Sequence, residues 1–305
     1  MTTVDPCPMA GCDAVQRVSF YFAAHQDDWQ LFMNPSAFGD VLNSNTKSVF
    51  VHMTAGDAGL GAKSGGRKYP LYLARENGAE SAIRFMADSD DRPPVDKRAS
   101  PMEFNGHPIH RTSYRNTVAY FLRVPDGNPA GTGYADTGYQ SLKRLADGQI
   151  DTLSAIDGTT SYHGWRDLVA TLRAIIDFER GPAPSVQLNV AELDPVINPD
   201  DHSDHLMTAK AALDAAEGLT FARRLHYVGY ASAELPENLS PQDRDMKCAA
   251  FAVTIAGILA LDHPAAWQHY DRNYVGRNYF RVEEVSGPGG GTDEVRSDRA
   301  GNFRK

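Results

Sequence analysis

The chain has 305 residues, a formal net charge of −9, 42% apolar residues and 23% charged residues. An acidic balance of this size argues against a surface built to hold nucleic acid, and the apolar share suffices for a large core. Three cysteines, Cys7, Cys12 and Cys248, make no disulfide framework, and Cys7 and Cys12 read as free thiols in a loose lead-in.

The opening residues lack a basic stretch followed by an apolar one, so no signal peptide is expected. The longest apolar run, Cys248 to Leu261, is too short to span a bilayer. These features predict a cytoplasmic enzyme with no membrane partner. One α/β domain over residues 1–285 is expected, with a flexible tail over 286–305 that is rich in glycine and charge.

In chain order, Arg17 to Ala24 reads as a first strand, and Asn34-Pro35-Ser36 as the start of a helix reaching about Leu42. Ser48 to Thr54 is a second strand, opening into the glycine-rich loop Ala55 to Gly61. The spacing of those glycines, G-x-x-G-x-G, is not that of a dinucleotide fingerprint, and a loop that lets substrate approach the backbone is expected instead. Leu71 to Ala87 carries helical spacing. Residues 88–115 are polar and interrupted by prolines, with His107 and His110 read as surface or cleft histidines.

Val118 to Val124 is a third strand, followed by a long loop to Tyr139. A short helix over Gln140 to Ala146, a brief strand or linker over Leu153 to Ile156 and a helix over Trp165 to Phe178 come next. Ser185 to Val190 is a fourth strand, running into the acidic stretch Ala191 to Asp204. Helix over His205 to Ala216, a fifth strand over Leu225 to Tyr230 and a helix over Pro241 to Leu261 complete the pattern. Strands alternating with helices predict a Rossmann-like, mostly parallel sheet covered on both faces.

Two of the predicted strands lead into segments rich in histidine and aspartate: His25-Gln26-Asp27-Asp28 and His202-Ser203-Asp204-His205. Adjacent acids at the mouth of a buried strand are costly unless exposed, hydrogen-bonded or bound to a metal. In open α/β sheets, ligands bind at the C-terminal ends of strands. His25, Asp28 and one histidine of the second segment form an N/O donor set suited to a catalytic zinc that keeps one position for water. Asp27 is then free to act as general base, and the other histidine to stabilise an oxyanion or protonate a leaving amine.

The first segment resembles the A-H-P-D-D signature of the PIG-L (LmbE-like) family of zinc-dependent N-acetylglucosaminyl deacetylases, and the second resembles that family's H-P-D-H signature. Thr54 to Gly59 is similar to the family's T-x-G-[ED]-x-G loop, and the helix bearing Arg75-Glu76 to its arginine-containing helix. The resemblance spans about residues 17 to 230. It implies a Rossmann-like fold with the metal at the C-terminal strand ends. It implies His25, Asp28 and His205 as ligands of Zn2+ or another divalent ion, Asp27 as general base, and His202 as oxyanion donor or general acid. It further implies Arg75 as a substrate-contacting residue and Asp57 as an acid near sugar hydroxyls.

The implied reaction is removal of an acyl group, typically acetyl, from the nitrogen of an amino sugar or related small metabolite. Alternatives are another reaction at the same centre in natural-product biosynthesis, and a non-catalytic binding module. Gln26 and Ser203 stand where the family has proline, so a looser first loop is expected, with the glutamine beside the metal. Trp29 is placed either at the rim, stacking on substrate, or packed into the first helix.

Overall fold

The computed structural model describes residues 15–284, except 91 and 94. The Cys7 and Cys12 thiols and the tail expected over 286–305 lie outside the described residues.

The first strand, β1 (Arg17–Ala23), is buried along nearly its whole length. Alternate side chains point to opposite faces of a strand. Val18, Phe20 and Phe22 accordingly enter one hydrophobic core, and Tyr21 and Ala23 another on the far side of the sheet. A sheet with apolar side chains on both faces needs helices on both. Those helices are α1 (Asp28–Phe32), α2 (Ser36–Leu42), α3 (Leu71–Ala87) and α7 (Pro241–Ala260) on one face, and α4 (Leu142–Ala146), α5 (Trp165–Arg180) and α6 (Ser203–Ala215) on the other. A short α8 (Trp267–Tyr270) follows α7.

The remaining strands are β2 (Thr46–Thr54), β3 (Arg98–Phe104), β4 (His107–Tyr114), β5 (Thr117–Val124), β6 (Thr152–Ser154), β7 (Ser161–His163), β8 (Ser185–Ala191), β9 (Arg223–Tyr227) and β10 (Phe280–Glu284). Among the described residues, eight strands form one sheet in the order β10-β9-β8-β1-β2-β5-β4-β3, and β6 and β7 form a separate hairpin. The pairs β9–β8, β8–β1, β1–β2 and β2–β5 are parallel, while β4–β5, β3–β4 and β10–β9 are antiparallel. The fold is therefore α/β and Rossmann-like, with a mostly parallel centre and antiparallel edges. The chain winds outward from β1 in both directions, so the order reverses between β1 and β8.

Three differences from the sequence reading have physical reasons. The polar, proline-interrupted stretch over 88–115, in which no strand was assigned, contains the β3–β4 hairpin. Pro101 and Pro108 are tolerated there because β3 is an exposed edge strand and each proline pairs only with its hairpin partner strand. The strand β10 closes the other edge. The helix expected from Asn34-Pro35-Ser36 is α2, and a further five-residue helix, α1, precedes it, starting inside the first acidic motif. Helices α3 and α7 cross at Gly78 and Gly257, where a Cβ on Gly78 would stand 2.7 Å from the Thr254 carbonyl oxygen. Among the described residues, no helix is long and apolar enough to cross a membrane.

Candidate metal centre

The strand β1 ends at Ala23, and the chain turns at once into α1 with Asp28 in its first turn. An acid in a first helical turn faces the positive end of the helix dipole. Asp28 Oδ2 accepts from the His25 backbone N–H at 2.7 Å, which folds the motif back on itself. Across the sheet, β8 releases the chain into the acidic loop that leads to α6. His202 caps α6, its Nδ1 accepting from the Asp204 N–H at 3.1 Å. One turn on, His205 points back across the strand ends. His205 Nε2 stands 3.2 Å and His25 Nδ1 3.4 Å from Asp28 Oδ1.

Three observations fit these residues to a divalent ion. Ligands about 2.1 Å from a tetrahedral zinc lie roughly 3.4 Å apart, close to the spacing of these atoms. His205 Nε2 is buried without a hydrogen-bond partner, as an atom that serves a metal would be. The nitrogen opposite the centre on each histidine faces carboxylates. His205 Nδ1 is 2.9 Å from Asp201 Oδ1, and His25 Nε2 is 3.6 Å from Asp204 Oδ2 and 3.9 Å from Asp126 Oδ2. Carboxylates in that position orient histidine ligands and raise their basicity. His25, Asp28 and His205 thus offer ligand atoms to one point, and Asp126, His202 and Asp204 gather on the other side of His25.

The electrostatics agree with a site made for positive charge. Burial works against a charged His25, yet Asp28, Asp204 and Asp126 push its pKa up to about 10. Burial likewise opposes charge on His205, but Asp201 and Asp28 raise it well above the ordinary value. Asp28 is held well below the usual carboxylate range because His205 and His25 outweigh its burial. His202 differs: burial, then His25, pushes it down to about 4. It is neutral near pH 7, and with Nδ1 accepting at the helix cap its proton sits on Nε2.

A cleft opens over this point, lined by Asp27, Arg75, Asp126, His202, Tyr230 and Tyr270 among others. Asp27 Oδ1 is ion-paired with Arg75 Nη2, and Arg75 Nη1 donates to the Gly56 carbonyl at 3.3 Å. Arg75 therefore reaches the cleft with those two nitrogens already committed. Asp126, at the end of the β5 segment, accepts from the Asn128 N–H at 2.9 Å. Gly127 passes so close to α6 that its N–H donates to Asp204 Oδ2 at 2.8 Å, and a Cβ there would stand 2.5 Å from Asp204 Oδ1.

Two expected site residues lie elsewhere in role. Trp29 is 0% exposed, so it is not a rim residue for stacking on substrate. It packs on Phe50 with ring centroids 4.8 Å apart, and its Nε1 donates to His52 Nε2 at 3.2 Å. Asp57, expected near sugar hydroxyls, is not among the residues named above as lining the cleft. It is buried, and its carboxylate accepts from the N–H groups of Gly61 at 2.7 Å and Asp126 at 2.9 Å, fixing the glycine loop to the end of β5.

Gln26 Nε2 donates to the Thr54 carbonyl at 2.8 Å, so a side-chain hydrogen bond holds this loop, while its Oε1 is buried without a partner. The Ser203 N–H, which a proline would lack, donates to the Pro129 carbonyl at 3.0 Å and secures the long loop after β5. His107 lies away from the centre, against Thr160 and Asp167.

The sequence reading gave no role to Asp126, Asp201, Tyr230 or Tyr270. Asp126 carried the same signal as Asp28, an acid just past a predicted strand. Asp201 was hidden in an acidic stretch, and Tyr270 sits on a short helix without a pattern of its own.

No family model matches the chain. No curated protein matches it. Among solved structures, the crystal structure of GalB, the 4-carboxy-2-hydroxymuconate hydratase from Pseudomonas putida KT2440, is similar with a TM-score of 0.40 and 15% sequence identity, over 84% of this chain and 83% of that chain.

Proposed function

We propose that this chain is a divalent-metal amidase of the PIG-L type, hydrolysing the N-acyl group of an amino sugar or related small molecule. The observation that carries the reading is the convergence of His25 Nδ1, Asp28 Oδ1 and the unpartnered His205 Nε2 beneath a cleft that holds Asp27 and His202. His25, Asp28 and His205 would hold the ion. Bound there, a zinc-like ion supplies Lewis-acid polarisation of the amide carbonyl and acidifies the attacking water.

The chain's own residues do the rest. Asp27 accepts the proton of the attacking water; Arg75 occupies its Oδ1, so proton transfer falls to Oδ2. As the water oxygen bonds to the carbonyl carbon, negative charge develops on the carbonyl oxygen. His202 donates from Nε2–H to that oxygen, the tautomer being set by its Nδ1 at the α6 cap. The C–N bond then breaks, and the proton held by Asp27 passes to the departing amine.

The test is metal content together with acetate release from a panel of N-acetyl amino sugars. One tightly held divalent ion per chain and acetate release from at least one sugar are expected. Metal uptake without acetate release would favour a different reaction at the same centre. Failure to take up any divalent ion would favour a binding module.

A further inference from the structure

Asp201 stands one residue ahead of the second histidine motif, and its carboxylate is wholly buried. Its Oδ1 lies 2.9 Å from His205 Nδ1 and also accepts from the Tyr230 backbone N–H at 3.2 Å. Its Oδ2 accepts from Asn198 Nδ2 at 2.9 Å. Asn198 is itself fixed, donating to the Glu192 carbonyl and accepting from the Gly229 N–H, each at 3.0 Å. Gly229 packs against the carboxylate, where a Cβ would come within 2.5 Å of Oδ2. A carboxylate held by three donors and a close backbone wall has little freedom to turn.

We infer that Asp201 is the positioning residue of the centre, setting His205 to present Nε2 to the ion and anchoring the Tyr230 wall of the cleft through the same oxygen. With His205 Nδ1 turned to Asp201, Nε2 is the nitrogen on the side of Asp28, where it would give its lone pair to a bound ion. The Tyr230 ring lies 5.1 Å from the His205 ring, in edge contact, so ligand and wall share one anchor. Any change in this carboxylate is felt at both. The inference rests on the metal-centre reading above.

The test compares the full chain with its Asp201→Asn variant by Zn2+ titration against a chromophoric chelator and by the visible spectrum of the Co2+-loaded protein. A carboxamide orients and polarises the imidazole less than a carboxylate, so the variant should bind Zn2+ roughly 10- to 100-fold more weakly, the usual cost of losing such a partner. Its Co2+ bands should also move.

A carboxylate of structural value alone would lower the melting temperature of the metal-free variant and leave affinity and spectrum unchanged; that result overturns the inference. If the variant does not fold, nitrogen-15 NMR of the histidines in the Zn2+-loaded wild type decides. Coordination of His205 through Nε2 with the proton kept on Nδ1 supports the inference, and coordination through Nδ1 overturns it. A wild-type chain that takes up neither Zn2+ nor Co2+ overturns the metal reading and this inference together. Equal affinity of the two proteins overturns the role of Asp201 alone.

Discussion

Arg75 and Asp27 form an ion pair in the cleft, the guanidinium holding one oxygen of the carboxylate and leaving the other for chemistry. In the proposed mechanism Asp27 is thereby oriented without being a ligand, a role separate from that of its neighbour Asp28. The Asp27→Asn variant is expected to retain its metal and lose turnover by roughly 10²- to 10⁴-fold, the usual worth of a general base. Metal analysis and steady-state rates on an accepted N-acetyl substrate check this. Undiminished turnover in that variant would remove Asp27 as the base.

The inward placement of Trp29 makes a second prediction. Trp29→Phe removes the Nε1–H donated to His52 Nε2 and leaves a buried acceptor unpaired. The expected cost is about 1–3 kcal/mol of folding stability with KM unchanged. Denaturant unfolding and Michaelis analysis on the same preparation distinguish this from a substrate contact, which would raise KM and leave stability alone.

His52 gives the protein a defined acid sensitivity. Burial pushes its pKa down to about 4 from 6.5, although the Tyr120 carbonyl and the charges of Asp28 and Asp27 pull the other way. The unfolded chain takes up this proton first as pH falls. The contribution of a neutral buried His52 is thus complete above pH 6.5 and is lost progressively between 6.5 and about 4. Over that window the loss should reach ~3 kcal/mol. Unfolding curves across it should be steeper in pH for the wild type than for His52→Gln; identical slopes would contradict a neutral buried His52.

Ser203→Pro tests what the backbone N–H at this position contributes. The substitution deletes the N–H that donates to the Pro129 carbonyl. A loss of about 1 kcal/mol is expected, together with faster protease nicking between residues 125 and 140. Limited proteolysis followed by mass mapping checks it. An equally protected loop in the variant would show that the bond contributes nothing.

Much of the sheet was legible because its central strands are buried on both faces. Phe20, Phe22, Val49, Val51, Leu188 and Val190 belong to near-continuous apolar runs whose only reasonable place is inside. The edges were illegible for the opposite reason. The strand β3 is exposed along most of its length, so its sequence carries polar residues and a proline, as a loop would.

The two histidine motifs were legible as chemistry, since packing gives no reason for such clusters. The orientation of Trp29 was not. A five-residue helix is too short to show a periodic face, so nothing in its sequence distinguishes a ring turned to the core from one turned to solvent. The partners of Asp57 were hidden for a related reason: an aspartate after a strand looks the same whether or not two backbone N–H groups meet it.

The reversal of strand order between β1 and β8 has a mechanical consequence. Asp28 belongs to the half of the sheet laid down first, and His205 to the half laid down last. An ion gripped by both would act as a clasp between halves that share only one strand seam, and the chain could not come apart without letting it go. Resistance to unfolding would then rise by about 1.4 kcal/mol for each tenfold excess of free metal over the dissociation constant. The stripped and the loaded chain would behave as two materials of different toughness, which melting curves with and without chelator would reveal before any substrate is known.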